Sequence, residues 1–252
     1  MTQLASVLSY LDALLESNRF TDSGLNGLQV ESGRGDVRRV AVAVDAGLSV
    51  IERAVAAQAD LLIVHHGVFW GEVHPITGAF ARKVELLLRN HCSLYASHLP
   101  LDAHREVGNN FELARFYGLE RLEPWYEHRG QVIGVRGVAG GRSLETFVTR
   151  SGELIGGRPP LVLPFGRAQI HQVGIISGGG SFALAAAARE RFDLFISGEP
   201  KQAAYHEAHE LGINALFAGH YATETFGVRA LAARLQRDFE VETLFIDEPT
   251  GI

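Results

Sequence analysis

The chain repeats itself, and the repeat limits what it can fold into. Residues 40–66, VAVAVDAGLSVIERAVAAQADLLIVHH, lie without gaps on residues 173–199, VGIISGGGSFALAAAARERFDLFISGE, with Val40, Gly47, Asp60 and Ile63 on Val173, Gly180, Asp193 and Ile196. Each copy reads as an apolar run, a glycine-containing turn, an alanine-rich helix, an aspartate and a second apolar run, the pattern of a strand, helix and strand. Strands joined by a helix pair in parallel, because the crossover returns the chain to the same end of the sheet. The same displacement carries Leu28-Gln29-Val30 onto Leu161-Val162-Leu163, and the helical pattern of Leu4–Leu15 falls near that of Leu144–Ile155. Downstream, SLYASHLPLD (residues 93–102) matches ALFAGHYATE (residues 215–224), each an apolar strand followed by a histidine and, four residues later, an acid. Alanine-rich segments resemble one another by composition alone, but composition does not account for a recurring histidine and acid at one strand end. The expected fold is therefore α/β, with two similar interlinked lobes arising from internal duplication. The N-terminal lobe is expected over residues 1–127 and the C-terminal lobe over residues 128–252, the latter opening on the glycine-rich segment around QVIGVRGV.

Composition narrows the function classes. With 252 residues, 46% apolar and 21% charged, the chain has the make-up of an ordinary globular protein that buries a full core. A formal net charge of −6 offers no general attraction to nucleic-acid phosphates or anionic lipid. The single cysteine, Cys92, excludes an intramolecular disulfide framework and a cysteine-based zinc cluster, and it fits a reducing compartment. No apolar run approaches the roughly 20 residues that cross a bilayer, and residues 1–20 read as an amphipathic helix rather than a leader. Cytoplasm is the expected location.

Ligands of parallel α/β sheets sit beyond the carboxyl ends of the strands, where loops supply side chains. The unusual residues of this chain cluster there. DLLIVHHGVFW delivers His65 and His66, SLYASHLPLD delivers His98 and Asp102, DLFISGEP delivers Glu199, and ALFAGHYATE delivers His220 and Glu224. Adjacent histidines on a regular strand point to opposite faces, so a shared site requires the strand to stop there, and Gly67 permits the turn. Imidazole and carboxylate donors without thiolate suit zinc, iron, manganese, cobalt or nickel. One tetrahedral ion takes about four ligands. His65, His66, Asp102, His220 and Glu224 are five, which favours two divalent ions bridged by the carboxylates of Asp102 and Glu224. Glu199, His98 and His206 are the candidates to handle protons behind these ligands. The sequence His206-Glu207-Ala208-His209 lacks the H-E-x-x-H spacing of a zinc protease helix. The run Ser177–Ser181, SGGGS, reads as a strand-to-helix turn, with a phosphate cradle as the less favoured alternative.

The ordered set HHGVFW, SHLPLD, SGEPKQAAYHEA and GHYATE resembles the Nif-three-like family of dinuclear-metal proteins, often labelled GTP cyclohydrolase I type 2 homologues. The resemblance implies two interlinked α/β lobes, a toroidal homohexamer, and two metals in the cleft between the lobes, held by the five residues named above. It departs from the family pattern at Gly67, where proline is usual, and at Ser97, where threonine is usual; it lacks the central domain that longer members insert. The implied activity is metal-dependent hydrolysis of a small molecule or nucleotide, in the labelled case opening of the guanine ring of GTP with release of formate. A non-enzymatic metal-binding or scaffolding ring and a two-metal phosphoesterase are the alternatives.

Overall fold

The computed structural model describes residues 2–252. The chain divides into two units, one running to Leu101 and including Gly227–Glu248, the other comprising Asp102–Phe226 and Pro249–Ile252. Glu127, the expected lobe boundary, lies inside a β-strand of the second unit. The division falls earlier because the helix after the second histidine motif changes units, and the C-terminal helix and strand return to the first. A boundary drawn from the composition of a single stretch does not register such an exchange.

The first unit begins with β1 (Thr2–Gln3), α1 (Leu4–Leu15), β2 (Gly27–Val30) and β3 (Asp36–Val37). Helix α1 buries Leu4, Val7, Leu11 and Leu15, the stripe of a 3.6-residue period, and stops where Glu16 turns left-handed at φ 46°. Next come β4 (Arg39–Asp45), α2 (Leu48–Ala56), β5 (Leu61–His66), α3 (Gly78–Arg89) and β6 (Ser93–Ala96). Strands β4, β5 and β6 pair in parallel, and β2 runs antiparallel on the β6 edge. Val40–Val44 and Leu61–Val64 are all buried, as strands covered on both faces must be. Their core includes Val50, Ile51, Leu62, Val64, Leu87 and Leu94, each large side chain contributing about 1.5–3 kcal/mol when fully buried.

The helix α4 (Leu99–Ala103) leads into the second unit, which continues with α5 (Asn109–Phe116), β7 (Glu120–His128), β8 (Gln131–Ser143) and α6 (Leu144–Leu154). It then runs through β9 (Leu161–Pro164), β10 (Gln169–Ile176), α7 (Leu184–Arg189), β11 (Leu194–Ser197), α8 (Ala203–Leu211), β12 (Asn214–Phe217) and α9 (His220–Thr223). Strands β10, β11 and β12 are parallel; β9 is antiparallel to β12, and β8 to β10. The sheet order is β7-β8-β10-β11-β12-β9. Helix α10 (Thr225–Asp238) and strand β13 (Glu242–Phe245) end the chain's regular structure. Strand β13 joins the first unit parallel to β4, giving the order β13-β4-β5-β6-β2.

The aspartate shared by the two sequence repeats has the same structural task in both. Asp60 Oδ2 accepts the backbone N–H groups of Arg38 and Arg39 at 2.7 and 3.0 Å, while its own N–H donates to Arg39 O at 2.9 Å. Asp193 Oδ2 accepts those of His171 and Gln172 at 2.9 and 3.0 Å, and its N–H donates to Gln172 O at 2.9 Å. Each clasp locks the start of one parallel strand to the entry of the next.

Candidate metal centre

In the first unit, β5 ends at His66, as required for both imidazoles to serve one site; their ring centroids lie 4.6 Å apart. His65 is fully buried, and its Nδ1 donates to Ser97 O at 2.9 Å. A carbonyl cannot donate, so the proton is on Nδ1 and the lone pair of the neutral ring on Nε2. His66 Nδ1 lies 2.8 Å from Asp45 Oδ1, at the end of the neighbouring strand β4. His98 follows β6, and its Nδ1 lies 2.8 Å from Asp22 Oδ1. Its centroid is 5.0 Å from that of His65 and 5.5 Å from that of His66. Donor atoms of His65, His66 and His98 lie within 4.8 Å of one another, a geometry able to hold a metal ion. Trp70 packs at a tilt against His66 and edge-on against His98, and donates its indole N–H to Gly67 O at 2.9 Å.

The loop before β2 supplies the support for His98. Asp22 accepts from Leu99 N at 3.0 Å, Gly24 N at 3.2 Å and Asn26 Nδ2 at 3.0 Å, and Asn26 Oδ1 in turn accepts His98 N at 2.7 Å. Burial works to raise the Asp22 pKa, but the His98 hydrogen bond and charge, with Asn26 and Leu99, overcome it and hold the carboxyl well below the usual range.

The second unit builds a different donor group. His220 opens α9 at the end of β12, with Nδ1 2.9 Å from Glu199 Oε2 and Nε2 3.2 Å from Glu224 Oε1. Burial lowers its pKa, yet the hydrogen bonds and charges of Glu224 and Glu199 outweigh burial and raise it to about 9. Glu224 is buried. Gly178 adopts φ +58°, and a Cβ there would collide with Glu224 Oε1 and sit 2.9 Å from His220 Nε2. The glycine at this point of SGGGS is therefore required by the carboxylate against it. An acid so close argues against the phosphate cradle, since it repels an anion. Asp102, on α4, accepts from Asn109 Nδ2 at 2.9 Å and from Ser177 Oγ at 3.1 Å, and Asn110 Oδ1 accepts Ser177 N at 2.7 Å.

Among the residues expected from the sequence, His65, His66 and His98 converge in the first unit, and Asp102, Glu199, His220 and Glu224 are held by the second. His206 lies exposed on α8 against Tyr205, and among the described residues it joins no group of metal donors. Sequence reasoning missed Asp22, Asp45, Asn109 and Asn110. Asp45 carried a signal, being the acid that closes the run VAVAVD at a strand's carboxyl end. Asn109 and Asn110 carried another, two amides at the start of a helix that is otherwise largely apolar on its inner face. Asp22 carried none, because it meets His98 from a distant, irregular loop.

Two mixed α/β units whose central parallel strands lead to oxygen-anchored histidines present donor groups positioned to hold a metal ion, the anchoring oxygen fixing tautomer and ring orientation. The sequence profile of the Duf34/NIF3 (NGG1p interacting factor 3) family matches residues 2–251, and the chain belongs to that family. A protein of Archaeoglobus fulgidus named GTP cyclohydrolase 1 type 2 homolog is 45% identical over 99% of both chains. The crystal structure of TTHA1606 from Thermus thermophilus superposes with a TM-score of 0.92 at 46% identity over all of both chains. Reduced HcgD from Methanocaldococcus jannaschii does so with a TM-score of 0.87 at 26% identity over 98% of each. No helix among the described residues is long and apolar enough to cross a membrane.

Proposed function

We propose that the chain binds two divalent ions, of zinc, iron or manganese, through His65, His66, Asp102, His220 and Glu224, and hydrolyses a small molecule or nucleotide there. The carrying observation is the anchoring of the ligand histidines. His65, His66 and His220 each commit Nδ1 to an oxygen, which directs Nε2 to the ligand role. The donor set, three imidazoles and two buried carboxylates without thiolate, fits hard-to-intermediate divalent ions. Bound, such ions supply Lewis acidity and bring the pKa of a water toward neutrality. The chain's own part is to hold and orient. Asp45 and Glu199 fix the rings of His66 and His220, Asn109 and Ser177 fix the carboxylate of Asp102, and Gly178 leaves room for that of Glu224. His98 holds a proton on Nδ1 against Asp22.

The relatives' name favours GTP as the nucleotide. Formate release from GTP by the metal-loaded protein, abolished in Glu224→Ala, is the expected result, and absence of turnover with every nucleotide tested overturns the enzymatic reading. Phosphate release from generic phosphodiesters with manganese, without formate from GTP, would favour the phosphoesterase instead. A homohexameric ring in a cytoplasmic setting belongs to the same reading, and light scattering tests the ring.

A further inference from the structure

We infer that Trp70 is the surface on which the substrate's planar base stacks, which makes the ligand of this site a heteroaromatic nucleoside or nucleotide. The inference deepens the nucleotide reading above and rests on it, through a side chain that the metal reading leaves unused. The chain has two tryptophans, and they differ in exposure. Trp125 is 5% exposed, packed against Phe192 and Phe195, with its indole N–H on Glu190 at 2.8 Å. An indole that serves packing alone gains most when covered in this way. Trp70 is only half-buried, although its ring lies 5.0 Å from that of His98 and 5.7 Å from that of His66.

What Trp70 offers a ligand is narrowed by its own hydrogen bond. Its one polar group, the indole N–H, is committed to Gly67 O, so the open part of the side chain presents only ring carbon and π surface. Such surface stacks a flat ring and gives a phosphate nothing to bind. Its placement is fixed on both sides. Leu25 N donates to Phe69 O at 3.1 Å, Gly71 N donates to Ser23 O at 2.7 Å, and Gly24 pairs with Trp70 itself in an isolated antiparallel bridge. A Cβ on Gly24 would come within 3.1 Å of the indole, so glycine lets that backbone lie against the ring. An aromatic ring held in advance loses little freedom on binding. A base packed on it at a centroid separation of about 4.5–7 Å stands beside the imidazole of His66, one of the proposed metal ligands.

The test reads indole fluorescence of the full chain during titration with guanosine and GTP, and with ribose 5-phosphate and inorganic triphosphate as probes that lack the base. Guanosine and GTP should quench the emission and the base-free probes should not. Trp70→Phe should remove the quenching, because Trp125 is buried. By calorimetry, Trp70→Leu should weaken guanosine binding about 10–100-fold and raise KM for GTP more than it lowers kcat, while Trp70→Phe keeps most of the affinity. Thermal melting confirms that both variants fold. A Trp70→Leu chain with weakened zinc binding and unchanged guanosine affinity has lost only a support of the imidazoles, which overturns the inference. Triphosphate or ribose 5-phosphate binding as tightly as GTP also overturns it, as does the absence of quenching by guanosine and GTP alike. Formate release from GTP with KM unaltered by Trp70→Leu overturns it and leaves the hydrolase standing. Guanosine quenching that Trp70→Phe abolishes, with no nucleotide turned over, upholds it and removes the hydrolase.

Discussion

The two units run the same central topology with different chemistry at the strand ends. In the first, β4, β5 and β6 are parallel with β2 antiparallel at the edge; in the second, β10, β11 and β12 are parallel with β9 antiparallel at the edge. The clasp of Asp60 recurs in Asp193 on equivalent backbone groups. Where β5 ends in paired histidines, β11 is followed by Gly198 and Glu199. Where β6 leads to His98 held by an aspartate, β12 leads to His220 held between two glutamates. The first unit thus offers mainly imidazole, the second mainly carboxylate. A shared scaffold constrains backbone hydrogen bonds and core volume, and it leaves the residues beyond the strand ends free to diverge.

The sharpest break of this comparison is Gly178→Ala. Its counterpart under the repeat is Asp45, a residue with a side chain, whereas a Cβ at 178 collides with the Glu224 carboxylate at a left-handed φ. Loss of metal binding by the second unit's donors is expected, with a stability cost of about 3 kcal/mol or more; calorimetric metal titration and thermal melting measure both. Next, the two clasps should differ despite identical hydrogen bonds. Asp60 is 6% exposed and also pairs with Arg34 at 2.8 Å, so Asp60→Ala should cost about 3 kcal/mol by stranding buried partners. Asp193 is more open to solvent, so Asp193→Ala should cost about 1 kcal/mol. Equal losses in urea unfolding would show that burial does not distinguish the units.

A smaller effect is expected behind the proposed ligands. Asp45→Ala and Glu199→Ala each release one histidine ring, and each should weaken metal binding by about 10–100-fold while leaving the melting temperature of the metal-free chain nearly unchanged. The smallest effect concerns Cys92, which lies buried just before β6. Burial, with the Asp60 charge adding, pushes its thiol up to about 12. Iodoacetamide at pH 8 should label it only as fast as the chain unfolds, and rapid labelling of the folded chain would mean that the first unit opens locally.

Much of this was legible in the residues. The 133-residue displacement located two parallel strand–helix–strand units, because period and punctuation are local properties that survive in sequence. It also paired Asp60 with Asp193, though not their task, since a clasp onto backbone N–H groups leaves no mark on the partners' identities. The match of Leu28–Val30 to Leu161–Leu163 was visible, but that both are antiparallel edge strands was not. Direction depends on which end the chain returns to, not on composition.

The sequence by itself determined the α/β class, the family and the strand ends at which His65, His66, Asp102, His220 and Glu224 appear, because apolar periodicity and short motifs are written in consecutive residues. Only the tertiary structure decided that the chain exchanges segments between its units, that Asp22 and Asp45 hold His98 and His66, and that Gly178 yields its space to Glu224. Those are contacts between residues from 21 to 76 positions apart and beyond the reach of any local pattern, since they form only once each sheet brings its strand ends together.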